Sequence, residues 1–108
     1  MESVKKDNYI LLESPSDVKS FIDKLKQSFQ DFSAENLVLN FEDHSFSKED
    51  INELLQLSAS HYAKQKSFIL VNSHLDIESI SEELRVAPTI QEAEDMIQME
   101  EIERDLGF

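Results

Sequence analysis

Two short apolar runs, Leu37-Val38-Leu39-Asn40-Phe41 and Phe68-Ile69-Leu70-Val71, dominate what this chain can fold into. Each is apolar at nearly every position. That is the pattern of a strand covered on both faces, as in a parallel sheet packed between helices. Between them Ser47-Lys48-Glu49-Asp50 opens a helix, with Ile51, Leu54, Leu55, Ser58 and Tyr62 as its inner stripe. Strand, helix and strand in that order make a parallel crossover unit.

The rest of the chain extends this unit on both sides. Tyr9 to Glu13 is a β-rich run, and Lys6-Asp7-Asn8 turns it back onto a short strand over Ser3 to Lys5. Ser14 is placed as the N-cap of the next helix, with Pro15 at its first position and Asp17 at its third. Val18, Phe21, Ile22, Leu25 and Phe29 follow at helical spacing, and the helix is expected to end near Asp31 to Ser33. Asp76 is expected to cap a short helix carrying Ile77, Ile80 and Leu84. Val86-Ala87-Pro88 suits an edge strand, because Pro88 lacks an N–H. Thr89-Ile90-Gln91-Glu92 is a capping box. The final helix is expected to face inward through Ile90, Ala93, Met96, Ile97, Ile102 and Leu106. Gly107 sits where a helix C-cap belongs. The 108 residues therefore read as a single α/β domain.

Composition excludes several function classes. Gly107 is the only glycine. A P-loop or Rossmann turn needs glycine where main-chain N–H groups approach phosphate, so both are ruled out. There is no cysteine, hence no disulfide and no cysteine-based zinc site. The net charge is −13, and residues 76–108 hold eleven acids against two arginines. No basic face can be assembled for nucleic acid or for an anionic membrane surface. Met1 to Asn8 is polar with no apolar signal segment after it, which makes a cytoplasmic location the expectation. No Gly-x-Ser-x-Gly elbow, His-x-x-x-His helix or His-x-His-x-Asp-His metal motif is present. No cofactor is expected.

Three groups of residues are candidate sites. His44 and His74 each follow a strand expected to be parallel and adjacent, where α/β folds place ligands. With Asp43 and Asp76 they could form a metal or acid–base site, although His-x-Asp alone is a low-information spacing. His61 reads as a surface residue. Ser47 and Asp50 could mark an anion-binding helix start, but a capping box explains both. Glu49 and Asp50 would also repel an incoming phosphate. The long acidic final helix, with Met96, Ile97, Met99 and Ile102, could offer an adaptable docking surface, or simply pack into the core.

The order of elements resembles the STAS domain of anti-sigma-factor antagonists and sulphate-transporter tails. The resemblance is best over "LVLNFEDHSFSKEDINELLQLSASHYAKQKSFILVN" and extends at low identity over nearly the whole chain. It implies a STAS-like small mixed sheet of four to five strands with about four helices. In that family a strand like Leu37 to Phe41 leads to an Asp-Ser-Ser/Thr-Gly turn and then a Leu-x-x-Leu-Leu type helix. Anchored on Ile51, the family's glycine falls on Asp50, its second hydroxyl residue on Glu49, its phosphorylated serine on Lys48 and its aspartate on Ser47. The phospho-acceptor is therefore missing, and Ser45 and Ser47 are the nearest hydroxyls. What the resemblance implies is a non-catalytic regulatory module that docks a protein partner of the anti-sigma-factor or regulatory-kinase type. The expected contact patch is Asp43, His44, Ser45, Ser47, Lys48, Glu49 and Asp50, with Asn52, Glu53 and Gln56 on the helix that follows. Two rivals remain: a small enzyme using His44 and His74, and a structural subunit that docks through its acidic C-terminal helix.

Overall fold

The computed structural model describes residues 1–13, 17–42, 44–74 and 83–107. Five strands form one sheet: β1 (Glu2–Lys5), β2 (Ile10–Glu13), β3 (Leu37–Asn40), β4 (Phe68–Val71) and β5 (Arg85–Ala87). They lie side by side in chain order. β1 runs antiparallel to β2, and every other pairing is parallel. Three α-helices accompany them: α1 (Val18–Ser28), α2 (Lys48–Ala63) and α3 (Ile90–Asp105). A 3-10 turn over Phe29–Phe32 extends α1. The α/β class is thus as expected, with three α-helices among the described residues rather than about four. The short helix expected from Asp76 falls on residues 75–82, outside the described residues.

The alternation of side chains along each strand decides the layering. Leu37 and Leu39 of β3, Phe68 and Leu70 of β4 and Leu12 of β2 point to one face, where Phe21, Ile22 and Leu25 of α1 and Leu54 of α2 cover them. Val38, Ile69, Val71 and Leu11 point to the other, under Ala93 and Ile97 of α3. Every residue of β4 and the first three of β3 are buried. Coverage on both sides is the reason these runs carry almost no polar residue. The edge strands differ: β1 is exposed at all four positions, with charges at both ends. Such an edge resists pairing with other chains.

Asparagines stitch the ends of the sheet. Buried Asn36, just before β3, donates from Nδ2 to the Asn8 carbonyl (2.9 Å) and accepts from the Ser67 N–H (2.8 Å). At the other end Asn40 donates to Glu13 (3.3 Å), and buried Asn72 bonds the loop after β3. Strand ends leave main-chain groups without ladder partners, and these side chains supply them.

Several local expectations are revised. Asp17, rather than Ser14, caps α1: its carboxylate accepts from the Ser20 N–H at 2.8 Å and Val18 is the first helical residue. Asp17 is itself a strong capping residue, and Ser14, Pro15 and Ser16 lie outside the described residues. The inward stripe of α1 is as expected, with Val18, Phe21, Ile22, Leu25 and Phe29 all buried. His61 is not on the surface: it is fully buried between the rings of Phe29 (5.3 Å) and Phe68 (6.1 Å). The inner row of α2 runs through Leu54, Ser58 and His61, while Ile51, Leu55 and Tyr62 are only partly buried. Ile102 and Leu106 do not face the sheet but are exposed.

Helix ends follow capping chemistry. Thr89 Oγ1 accepts from the Glu92 N–H (3.1 Å) and starts α3. Gly107, at φ +82°, ends it, its N–H donating to the Arg104 carbonyl. α2 ends the same way with Gln65 at φ +63°. This is a left-handed position that glycine usually takes, and the chain has no second glycine to give it.

Candidate functional site

The junction between β3 and α2 is held by aromatic packing and by its own hydrogen bonds. Phe41 is fully buried; its ring meets Phe21 at 4.5 Å, Phe46 at 5.1 Å and His44 at 5.9 Å. Phe46 thereby folds the loop back on the core. The His44 N–H donates to the Phe41 carbonyl (2.9 Å), closing a tight turn. From the end of β4, Asn72 Nδ2 donates to the carbonyls of both Phe41 (2.7 Å) and His44 (2.9 Å).

The start of α2 is a complete capping box. Ser47 Oγ accepts from the Asp50 N–H at 3.1 Å, and Asp50 Oδ2 accepts from the Ser47 N–H at 2.9 Å. The Ile51 N–H donates to the Ser47 carbonyl. Glu49 and Asp50 supply negative charge to the positive end of the helix dipole. These groups perform internally what a bound phosphate performs at an open helix start.

The structure brings the remaining sequence-expected residues onto one surface. Ser45, Ser47, Lys48, Glu49, Asn52 and Gln56 are exposed, whereas His44, Asp50 and Glu53 are half-buried. Glu53 pairs with Lys26 of α1 at 3.0 Å, so it braces the two helices against each other. Asp43 lies outside the described residues. His44 and His74 belong to neighbouring loops, both tied to Asn72: the His44 carbonyl accepts from Nδ2, and the His74 N–H donates to Oδ1 (2.8 Å). Asp76, the fourth member of that candidate cluster, lies outside the described residues with Asp43. Among the described residues no three His, Asp or Glu side chains are grouped to hold a metal.

A second polar centre, at the opposite end of the sheet, escaped sequence reasoning. Glu100 of α3 accepts from Tyr62 OH (2.8 and 3.1 Å) and from Ser67 Oγ (2.6 Å), and it pairs with Arg85 at 3.6 Å. Arg85 also lies over the Tyr62 ring at 5.6 Å. Arg104 donates to Ser67 Oγ (3.1 Å) and Asn36 Oδ1 (3.5 Å). Burial and the Glu100 charge push the Tyr62 phenol far above its ordinary value, so it stays a proton donor. Both arginines of the chain line one cleft of about 410 Å³ here, with Tyr62, Gln65, Glu100 and Glu103. The only sequence signal for this centre is that the two arginines are the chain's only non-lysine cations. Its bonds join α2, Ser67 just before β4, β5 and α3, which makes it a cross-link of the fold.

His61, expected at the surface, is a further buried polar group. Its Nε2 donates to the Glu35 carbonyl at 2.6 Å, a partner that can only accept, so Nε2 carries the proton. Among the described residues Nδ1 has no hydrogen-bond partner, and neither has buried Ser58 Oγ one turn earlier. Burial holds the imidazole below its ordinary pKa, outweighing the Glu35 hydrogen bond, which acts the other way.

No protein-family model matches the chain, and no match is found among curated proteins. No helix among the described residues is long and apolar enough to cross a membrane.

Proposed function

We propose that the protein is a non-catalytic, cytoplasmic interaction module of the STAS type. In this reading it docks a regulatory protein partner of the anti-sigma-factor or kinase-like kind through the β3–α2 loop and the exposed side of α2. The contact residues are Asp43, His44, Ser45, Ser47, Lys48, Glu49 and Asp50, continued by Asn52, Glu53 and Gln56. The observation that carries the reading is the reciprocal cap between Ser47 and Asp50. A loop at the carboxyl end of a parallel strand is where α/β folds place ligands, yet here its polar groups serve the helix itself. What it still offers is a charged, solvent-facing surface, and that suits recognition better than chemistry. The mostly parallel five-stranded sheet with helices on both faces is compatible with the STAS-like resemblance.

Lys48 occupies the position of the usual phospho-acceptor, so a phosphoserine switch there is absent from this reading. Phosphorylation of Ser47 would instead add bulk at the oxygen that accepts from the Asp50 N–H and set a dianion beside Glu49 and Asp50, whose like charge opposes it.

The test is affinity capture from native cells with Lys48→Glu and Glu49→Lys exchanged together. This swap leaves net charge and the cap untouched. Loss of a partner that the parent chain retains supports the reading, and unchanged capture removes it.

A further inference from the structure

Helix α3 is apolar on two opposite faces, and the fold accounts for only one. Ala93 and Ile97 are buried against the sheet, with Ile90 and Met96 packed beside them. On the far side Met99, Ile102 and Leu106 are 62%, 57% and 66% exposed. At about 100° per residue these three fall in one stripe opposite Ile97. Extended toward the N-terminus at alternating steps of three and four, the stripe reads Glu92, Asp95, Met99, Ile102, Leu106, all exposed. That is the spacing of a helix–helix seam. Its first half is acidic and its second half apolar. Three large side chains held in water along one line of a helix are costly unless something covers them.

We propose that this outer seam is a second docking surface, separate from the β3–α2 patch, and that its occupant is a basic amphipathic helix of another protein. Charge selects that occupant. α3 carries seven acids and one arginine. A second copy aligned in parallel would set Glu92 and Asp95 against their own equivalents. An antiparallel copy would press those carboxylates against Ile102 and Leu106 of its mate. The first arrangement repels, and the second desolvates charge without a partner. A helix with Lys or Arg at one end of its seam and Leu, Ile or Met at the other satisfies both halves at once. Met99 adds an unbranched, polarisable side chain that adapts to the shape it meets.

The experiment titrates the full chain calorimetrically with two synthetic peptides of identical Leu/Lys composition. One is patterned as an amphipathic helix, and the other is scrambled to destroy the stripe. The same titrations are run on a Met99→Gln, Ile102→Gln, Leu106→Gln variant. These residues are exposed and the changes leave net charge alone, so an unchanged melting temperature verifies the fold. The patterned peptide is expected to bind the parent chain at least about ten-fold more tightly than the scrambled one, and the variant to lose that margin. Equal affinity for both peptides, or a margin that survives in the variant, overturns the proposal. So does a parent chain that sediments as a dimer and a variant that sediments as a monomer, since a second copy would then be the occupant.

Discussion

Asn72, just after β4, holds His44 by its main chain: Nδ2 donates to the His44 carbonyl at 2.9 Å while its second hydrogen serves the Phe41 carbonyl at 2.7 Å. The loop after β3 is therefore fastened not only by its own bonds but also by a side chain that follows the next strand. Asn72→Asp keeps the size but removes both donors and buries a charge. It is expected to cost about 2 kcal/mol or more. Urea denaturation measures this, and an unchanged midpoint would show that the two bonds contribute nothing net.

Ser58 sits buried on α2, and its hydroxyl has no hydrogen-bond partner among the described residues. Replacing it by alanine removes an unsatisfied polar group and adds helix propensity. Ser58→Ala is expected to stabilise the protein by about 1 kcal/mol. A fall in thermal stability would mean that the hydroxyl has a partner, such as a buried water.

His61 ties folding to pH. Its folded pKa lies below the unfolded value of 6.5, so between the two values the unfolded chain binds the extra proton. Its contribution is complete above the unfolded pKa and is lost as pH falls through the folded one. The slope from this group is at most about 1.4 kcal/mol per pH unit. Against His61→Phe, the parent chain is expected to lose stability more steeply from pH 7 to pH 5. Parallel pH profiles for the two proteins would contradict the assignment.

Tyr62 anchors the Glu100 cross-link. Tyr62→Phe leaves a largely buried carboxylate with Ser67 and Arg85 only, and is expected to cost about 1–2 kcal/mol. Arg85 itself is 44% exposed and its pair with Glu100 is long at 3.6 Å, so Arg85→Gln is expected to cost less than about 1 kcal/mol. Comparing the two denaturation midpoints checks the ranking.

The core of this fold was legible because it rests on periodicity. Leu37 to Leu39 and Phe68 to Val71 read as doubly covered strands, and Ser47 with Asp50 read as a cap, from residue type and spacing alone. α3 misled because its second half inverts the usual pattern. Ile102 and Leu106 stand five and nine positions after Ile97, which turns them about 140° and 180° away from it. The inward positions there are Glu100 and Arg104, made tolerable by Tyr62, Ser67 and Asn36 from distant parts of the chain. No local window contains those partners. His61 was missed for the same reason, since Phe29, Glu35 and Phe68 surround it only after folding.

The helix start at Ser47 is occupied by its own side chains. Titrating isotope-labelled protein with inorganic phosphate while following the amide resonances of Ser47 to Ile51 tests this most directly. The expected result is a small, linear, non-saturating drift shared by the whole surface. A saturable shift confined to the Ser47 and Asp50 amides would mean that the loop grips an oxyanion, and would contradict the reading of this junction as a docking surface.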